Sequence, residues 1–291
     1  MKPAVTICRG ASALVSLMVL MLCLSCGTKG TKKVITVSIE PQRALLEAIA
    51  GDRFEVRTLL PAGANPETFE PTIKTRKDID DAMAYMAIGG MPFEDNIHHS
   101  LSSDVRYFDV SEGITPIYGT HDHGDGHDHD HDDMGADPHV WTSVKNARTM
   151  ATNMLKALKD IDPSSTDYYT ANYNVLIGKL DSLDRDFGRR LAQKSGTAFA
   201  VWHPSLSYFA RDYGLRQISV GFENKEVSPA HMAHIAEEAR QAGVRVLFFQ
   251  REYDSRQAQS LARELSVNII TINPLDYDWQ GQLENIVAAL R

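Results

Sequence analysis

The sequence predicts an α/β protein with two lobes, each built on a parallel sheet, joined by one long rigid helix. Three observations predict this fold. Short β-branched runs alternate with amphipathic helical segments from Val34 onward, the same alternation returns in the second half, and a long helical segment lies between the halves. Strands that alternate with helices favour parallel sheets with helices packed on their faces.

The first half contains four predicted strands and the helices that follow them. The strands are β-branched and aromatic runs bounded by turn residues, and the helices carry apolar residues three or four positions apart. The predicted strands are 34–39, 54–60, 84–88 and 105–110, and the predicted helices are 41–50, 72–82, 93–100 and 144–159.

The second half repeats the pattern after a long helix predicted over 164–191. Its apolar residues, such as Tyr169, Leu176 and Leu180, follow helical spacing for roughly seven turns, whereas a flexible hinge would be rich in Gly or Pro. Strands are predicted at 197–202, 216–220, 244–249 and 268–272, and helices at 205–213, 229–242, 255–265 and 279–290. The predicted units are an N-terminal lobe (34–163), a linking helix (164–192) and a C-terminal lobe (193–291).

Residues 1–26 have the pattern of a secretory signal. Lys2 and Arg9 precede an apolar run over 11–24, and small residues follow it. Cys26 directly after this run resembles the lipidated cysteine of the bacterial lipobox, so a lipid anchor at Cys26 is expected; the alternative is cleavage without lipid. Residues 27–33 are interpreted as a polar tether. All three cysteines lie within residues 1–26, which leaves the rest of the chain without a disulfide or a thiolate ligand.

Composition and charge narrow the function. Hydrophobic residues make up 43% of the chain, enough to bury a core, and the net charge is −8. Nucleic-acid binding needs clustered Lys and Arg, so nucleic acid is excluded as a partner. An acidic chain suits a protein that handles cations, although many soluble proteins are equally acidic.

The run HDHGDGHDHDHDD at 121–133 lies within a loop predicted over 119–136. It cannot enter the core because burial would leave its charges without partners. Imidazoles and carboxylates at this density bind divalent metal, and the glycines prevent one fixed geometry, which predicts several weak sites. The alternative is a solvated acidic loop that binds nothing. The histidines concerned are His121, His123, His127, His129 and His131.

A tight site needs ligands held by the scaffold. In parallel sheets, that place is the crevice at the carboxyl ends of the strands. Three segments fall there: a Gly/Pro-rich loop with Glu67 and Glu70, the segment with His139, and His203 directly after a strand. Each residue alone is more often structural, and their shared position is what favours a common metal site.

Two other histidine groups attract attention. His231, His234 and Glu238 share one face of a predicted helix and form a candidate metal cluster. We favour an amphipathic helix whose apolar residues pack while these side chains face water. The pair His98–His99 ends a polar helix and is interpreted as surface.

Several motifs carry a resemblance to a known family. They are NPETFEPT at 65–72, DPHVW at 137–141, and Trp202-His203-Pro204 followed by Tyr208-Phe209 and Tyr213-Gly214-Leu215. With them the sequence resembles the metal-specific substrate-binding proteins of bacterial ABC importers, the cluster A-I family of zinc and manganese receptors. A histidine- and acid-rich loop before the second motif is typical of the zinc branch. The resemblance covers essentially the whole chain after the tether and implies two α/β lobes joined by one long helix.

The resemblance implies that Glu67, His139 and His203 are the metal ligands. Position 67 usually carries histidine in the family; a carboxylate is an acceptable zinc ligand but shifts the preference toward Mn²⁺. His203 favours zinc, because the manganese branch tends to have glutamate there. For the fourth ligand, the family's usual Asp is replaced by Asn273, so Asp276 or water is expected.

The implied function is a monomeric, lipid-anchored, periplasm-facing receptor that captures Zn²⁺, or alternatively Mn²⁺, between its lobes. It would deliver the ion to the permease of an ABC importer in the inner membrane and perform no catalysis. One rival is a zinc-dependent hydrolase, since two His, one carboxylate and an open position also describe a catalytic site. Another is a surface metal-storage or adhesion lipoprotein, in which the loop is the active part.

Overall fold

The computed structural model describes residues 33–118, 135–221, 227–251, 253 and 255–290. The first lobe consists of β1 (Lys33–Val37), α1 (Glu40–Ala50), β2 (Phe54–Thr58), α2 (Ile73–Asp80), β3 (Ala84–Ala87), α3 (Pro92–Ser100), β4 (Arg106–Asp109) and α4 (Val144–Ile161). The helix α5 (Thr166–Leu191) follows. The second lobe consists of β5 (Ala198–Val201), α6 (Ser207–Tyr213), β6 (Arg216–Ser219), α7 (Pro229–Gln241), β7 (Val246–Gln250), α8 (Ser255–Leu265), β8 (Asn268–Ile272) and α9 (Trp279–Ala289).

The strands of the described residues form two four-stranded sheets, and each pairing in them is parallel. Their orders are β2-β1-β3-β4 and β6-β5-β7-β8. The predicted two-lobed α/β fold is therefore confirmed. Small differences occur at the ends of elements: β1 begins at Lys33, within the predicted tether, because the backbone of Lys33 pairs with Phe54.

The two sheets share one topology, which locates the crevice in each lobe. β1 lies between β2 and β3, and β5 lies between β6 and β7, so the direction of strand order reverses at β1 and at β5. A crevice opens beyond the carboxyl ends of the strands at such a point, and ligands bind there in open α/β sheets. The segments that follow the carboxyl ends of the strands therefore border the place where a ligand is expected.

The alternation of side chains along β5 and β7 explains how the second sheet is buried. Phe199, Val201 and Phe248 join the large core that continues through the first lobe and α5. Their neighbours Ala200 and Leu247 point to the other face and pack in a smaller core under α7 and α8. Because one face of the second sheet shares a core with the first lobe, the two lobes are held by apolar packing.

Helix α5 is the predicted linking helix. It begins at Thr166, after a 3₁₀ turn over Pro163–Ser165, and runs for 26 residues. Its buried side chains include Tyr169, Leu176 and Leu180, which form a single stripe at helical spacing. None of the helices in the described ranges is both long and apolar enough to cross a membrane.

Candidate metal site

Glu67 lies in the long loop between β2 and α2, and local contacts hold this loop in place. The Asn65 side chain accepts a hydrogen bond from the Glu67 backbone N–H at 2.8 Å. Phe69 packs edge-to-face on Phe93 of α3, with 5.4 Å between ring centroids. Thr72 caps α2 by accepting from the Thr75 backbone N–H at 3.1 Å. The Glu67 side chain is 24% exposed, so it is directed mostly into the protein.

His139 precedes α4 and is held by a carboxylate two residues earlier. Asp137 Oδ1 lies 2.9 Å from the His139 backbone nitrogen and 2.8 Å from Nδ1 of its ring. The ring is buried and lies beside Trp141, with 5.1 Å between centroids. In the part of the chain that the structure describes, no strand directly precedes His139, and its segment is joined to the first lobe by a bridge between Ala136 and Tyr118.

His203 follows β5 by two residues and is held through its backbone. Gln250, the last residue of β7, is fully buried; its Oε1 accepts from the His203 N–H at 3.2 Å, and its Nε2 donates to the His203 carbonyl at 2.7 Å. The imidazole stacks on Tyr253 at 5.2 Å between centroids. These contacts direct Nε2 of His203 toward the first lobe.

The three predicted ligands meet at His203 Nε2. This atom lies 3.2 Å from His139 Nε2 and 3.2 Å from Glu67 Oε1. The described residues contain no group of three His, Cys, Asp or Glu side chains arranged as a ready-made metal cage, so the cluster consists of two close pairs that share His203.

A cavity of about 10 Å³ adjoins the two histidines, which is room for about one water-sized sphere. Its walls are mostly apolar, and the residues that line it are Pro66, His139, Trp141, His203, Ser205, Gln250, Tyr253, Pro274 and Leu275.

The two groups beside the His139 ring, the His203 imidazole and the Asp137 carboxylate, both have shifted pKa values. Burial and, to a smaller extent, the neighbouring His139 lower the pKa of His203 to about 3, while Asp137 opposes the shift. His203 is therefore neutral near pH 7, with a ring nitrogen lone pair available to a metal. Burial alone would raise the pKa of Asp137, but hydrogen bonds from His139 and its charge outweigh this and hold that pKa below its ordinary value.

Asn273 and Asp276, the expected fourth ligands, lie in the loop between β8 and α9 that borders the cavity. The Asn273 side chain donates to Asp276 Oδ2 at 3.1 Å, and Asp276 Oδ1 accepts from the Asp278 N–H at 3.0 Å. The residues of this loop that line the cavity are Pro274 and Leu275 instead. The Trp141 indole donates to the Pro274 carbonyl at 2.8 Å and joins the two lobes beside the site.

The other histidine groups lie apart from this cluster. His231 Nε2 is 3.2 Å from the Val220 carbonyl, and Glu238 pairs with Arg216. His98 stacks on Tyr107 at 4.1 Å between centroids. The predicted loop histidines His121, His123, His127, His129 and His131, and the predicted lipidation site Cys26, lie outside the described residues.

Gln250 and Tyr253 were missed by the sequence reasoning. Gln250 ends an apolar run and looks like the end of a strand, and only the pairing of β5 with β7 brings it to His203. A polar residue at the carboxyl end of a buried strand is the signal that would have found it.

Comparisons with known proteins show which proteins this chain resembles. The family model for ZnuA, described as the periplasmic component A of a zinc-uptake complex, matches residues 35–291. The zinc-binding protein AdcA of Streptococcus pyogenes is 29% identical over 270 residues, which cover 85% of this chain and 51% of AdcA. The high-affinity zinc uptake system protein ZnuA of Bacillus subtilis is 28% identical over 259 residues, covering 87% of this chain and 81% of the relative.

Solved structures show the same fold. A crystal structure of ZnuA superposes with a TM-score of 0.79 at 30% identity, covering 90% of this chain and all of the other. The chain spans about half the length of the AdcA relatives that it matches, 51% in the case above.

Proposed function

The chain belongs to the ZnuA family of periplasmic zinc-uptake components, and we propose that it is a zinc receptor serving an ABC-type importer. In this proposal Glu67, His139 and His203 bind one Zn²⁺ between the lobes, and the protein delivers the ion to a membrane permease. No bond in a substrate is made or broken.

The observation that carries the proposal is the position of His203 Nε2, 3.2 Å from both His139 Nε2 and Glu67 Oε1. Ligands at 2.0–2.2 Å from a tetrahedral Zn²⁺ are separated from one another by about 3.3–3.5 Å. Both measured distances are close to this spacing. A small movement of Glu67 toward His139 would complete a three-ligand set.

The surroundings favour a small ion with few ligands. Zn²⁺ accepts four-coordinate sites of nitrogen and oxygen, whereas Mn²⁺ prefers a larger set of oxygen ligands. The cavity is about 10 Å³ with mainly apolar walls, so a hydrated Mn²⁺ would have to lose waters that these walls do not replace. A water is the proposed fourth ligand, because the side chains of Asn273 and Asp276 form a hydrogen bond with each other.

The small size of the cavity beside the two histidines argues against the zinc-dependent hydrolase. A catalytic zinc needs space for a substrate beside its open position. The cavity beside the two histidines, lined by Trp141, Tyr253 and Leu275, has room for an ion rather than an organic substrate. A larger cavity of about 390 Å³ lies beside Glu67, but neither histidine lines it.

Competitive titration tests the proposal. After the metal has been removed by a chelator, the protein is titrated with Zn²⁺ and with Mn²⁺ by calorimetry in the presence of a competing ligand. We expect one tight zinc equivalent and weaker manganese binding. Many weak equivalents without a tight one would favour the metal-storage alternative and contradict the receptor.

We further propose that the protein is a monomer tethered to the membrane by a lipid on Cys26, which supports its role beside a permease. The lipobox-like sequence before Cys26 motivates this. Mass spectrometry of protein from membranes should find the lipid on Cys26, and Cys26→Ala should release the protein in soluble form. An unmodified Cys26 in membrane-bound protein would contradict the anchor.

A further inference from the structure

We propose that Asp137 is a positioning residue for the cation site: it fixes the His139 ring so that Nε2 faces His203, and Tyr208 of the second lobe holds Asp137 in place. This inference rests on the proposed zinc receptor. It concerns residues beyond the three ligands and the linkage between the lobes.

The first step is the local geometry around Asp137. One oxygen of its carboxylate, Oδ1, accepts from both the backbone N–H and the ring Nδ1 of His139, at 2.9 and 2.8 Å. The intervening Pro138 fixes its own backbone φ and so limits the freedom of the turn. The carboxylate and the ring are thus held together by a short, stiff piece of chain.

The second step is the proton. A carboxylate oxygen accepts hydrogen bonds, and Asp137 Oδ1 lies 2.8 Å from His139 Nδ1 and 2.9 Å from the His139 backbone nitrogen. His139 Nδ1 is therefore the donor in this pair, which leaves Nε2 as the ring nitrogen available to a metal. That nitrogen is the atom 3.2 Å from His203 Nε2. Partners of this kind orient metal-binding histidines and increase the basicity of the free nitrogen.

The third step is the support from the second lobe. The Tyr208 hydroxyl donates to the Asp137 carbonyl at 2.8 Å and accepts from the Ile117 N–H at 3.2 Å. The Asp137 N–H in turn donates to the Ile117 carbonyl at 2.7 Å. Tyr208 is itself fully buried on α6, with the Arg211 guanidinium 5.0 Å from its ring centroid.

These contacts connect the orientation of one ligand to the packing of the lobes. His203 lies on the second lobe, and His139 is placed from the first lobe by Asp137, which a second-lobe tyrosine holds. Displacement of α6 from Asp137 would therefore loosen the His139 ring as well as separate the two histidines.

Asp137→Ala tests the proposal directly. We expect zinc binding to weaken about 10- to 100-fold, as for other partners of metal-binding histidines. Nitrogen-15 NMR of the metal-free protein should show His139 protonated only at Nδ1 in the wild type and a mixture of the two ring forms in the variant. The His139 signals are assigned by their loss in His139→Gln.

Asp109→Ala is the matched control. Asp109 also accepts, through Oδ1, from the backbone N–H of the residue two positions later, Ser111 at 2.8 Å, but its hydrogen bonds among the described residues include none with a histidine. This variant should keep the wild-type zinc affinity and the His139 ring form. Equal losses in both variants would mean that any such turn affects the site, and would overturn the proposal.

Tyr208→Phe tests the second lobe's part and remains informative if Asp137→Ala does not fold. Losing one hydrogen bond to Asp137 should weaken zinc binding about twofold to tenfold. The NMR signals of His139 should then show a mixture of the two ring forms. Wild-type affinity and an unchanged ring form in the variants would overturn the positioning role. If the wild-type protein itself lacks a tight zinc equivalent, the proposed function fails instead.

Discussion

His203 is the residue on which the proposed chemistry depends most, because it belongs to both close pairs of the site. Replacing His203 or His139 with Ala removes one of three ligands. A ligand contributes more than a partner that only orients it, so zinc affinity should fall by more than about 100-fold. Competition with a fluorescent chelator would measure the change.

His234→Ala is the control for these ligand variants. His234 is an exposed histidine on α7 and belongs to the helical cluster that sequence reasoning set aside. Its replacement should leave the tight zinc equivalent intact. If it removed that equivalent and the cleft variants did not, the site would be on α7.

The buried ring of His203 should also make the metal-free protein sensitive to acid. In the folded state its pKa is about 3, against an ordinary value of 6.5. Between these two pH values the unfolded chain takes up a proton that the folded protein does not. The free energy of unfolding therefore falls as the pH is lowered from 6.5 toward 3, by about 2 kcal/mol at pH 5 for this ring.

Urea unfolding at pH 7 and pH 5, with a chelator present, measures this effect. The wild type should lose more stability than His203→Gln over this interval, since the variant lacks the titrating ring. Equal losses in the two proteins would show that His203 is protonated as readily in the folded state as in the unfolded chain.

At the scale of elements, the start of α4 links the site to the second lobe. Ser143 caps this helix by accepting from the Asn146 N–H at 3.0 Å, and its hydroxyl also donates to Asp212 of α6. Ser228 caps α7 in the same way, by accepting from the His231 N–H at 3.2 Å. Both serines cap a helix, but only Ser143 also makes a hydrogen bond to the other lobe, so comparing the two isolates the contribution of that bond.

Replacing either serine with Ala should cost about 1 kcal/mol for the lost cap. Ser143→Ala should cost about 1–3 kcal/mol more, because a buried carboxylate then loses a donor. The Asp212 side chain is only 4% exposed, so water replaces that donor poorly. Denaturant unfolding gives both values, and equal costs would mean that the Ser143–Asp212 bond contributes nothing.

For the whole molecule, the fold was predictable because its signals are local. Strands buried on both faces, such as Ala84–Ala87, are recognised as apolar runs, and the stripe of α5 is recognised by its spacing. The order of strands in the sheets is set by contacts distant in sequence. For that reason the contact of Tyr208 with Asp137 could not be predicted, whereas the hydrogen bond between Asp137 and His139 spans only two residues.

The proposed ligands were suggested by family motifs, and the fold explains why those motifs converge. Glu67 follows β2, His203 follows β5, and each is at the carboxyl end of its sheet. His139 is different, since it follows an isolated bridge rather than a strand. Its place depends on contacts with α6 that no local pattern encodes.

The role of the histidine-rich segment is also a question for the whole molecule. Residues 121–131 lie outside the described part, but the described residues that flank the segment lie close together: Tyr118 bridges Ala136, and the Asp137 N–H donates to the Ile117 carbonyl at 2.7 Å. Deleting 121–131 leaves six residues, 119–120 and 132–135, between Tyr118 and Ala136, and a hairpin connection usually needs only about 2–5 residues.

We therefore expect the deletion to leave the cleft undisturbed. Calorimetry should still find one tight zinc equivalent, and the weak equivalents of the wild type should disappear with the five histidines. Adding His203→Ala to the deletion should then remove the remaining equivalent, because His203 belongs to both pairs of the cleft cluster. If the deletion alone abolished tight binding while circular dichroism showed an intact fold, the segment would hold the principal site and the cleft would be secondary.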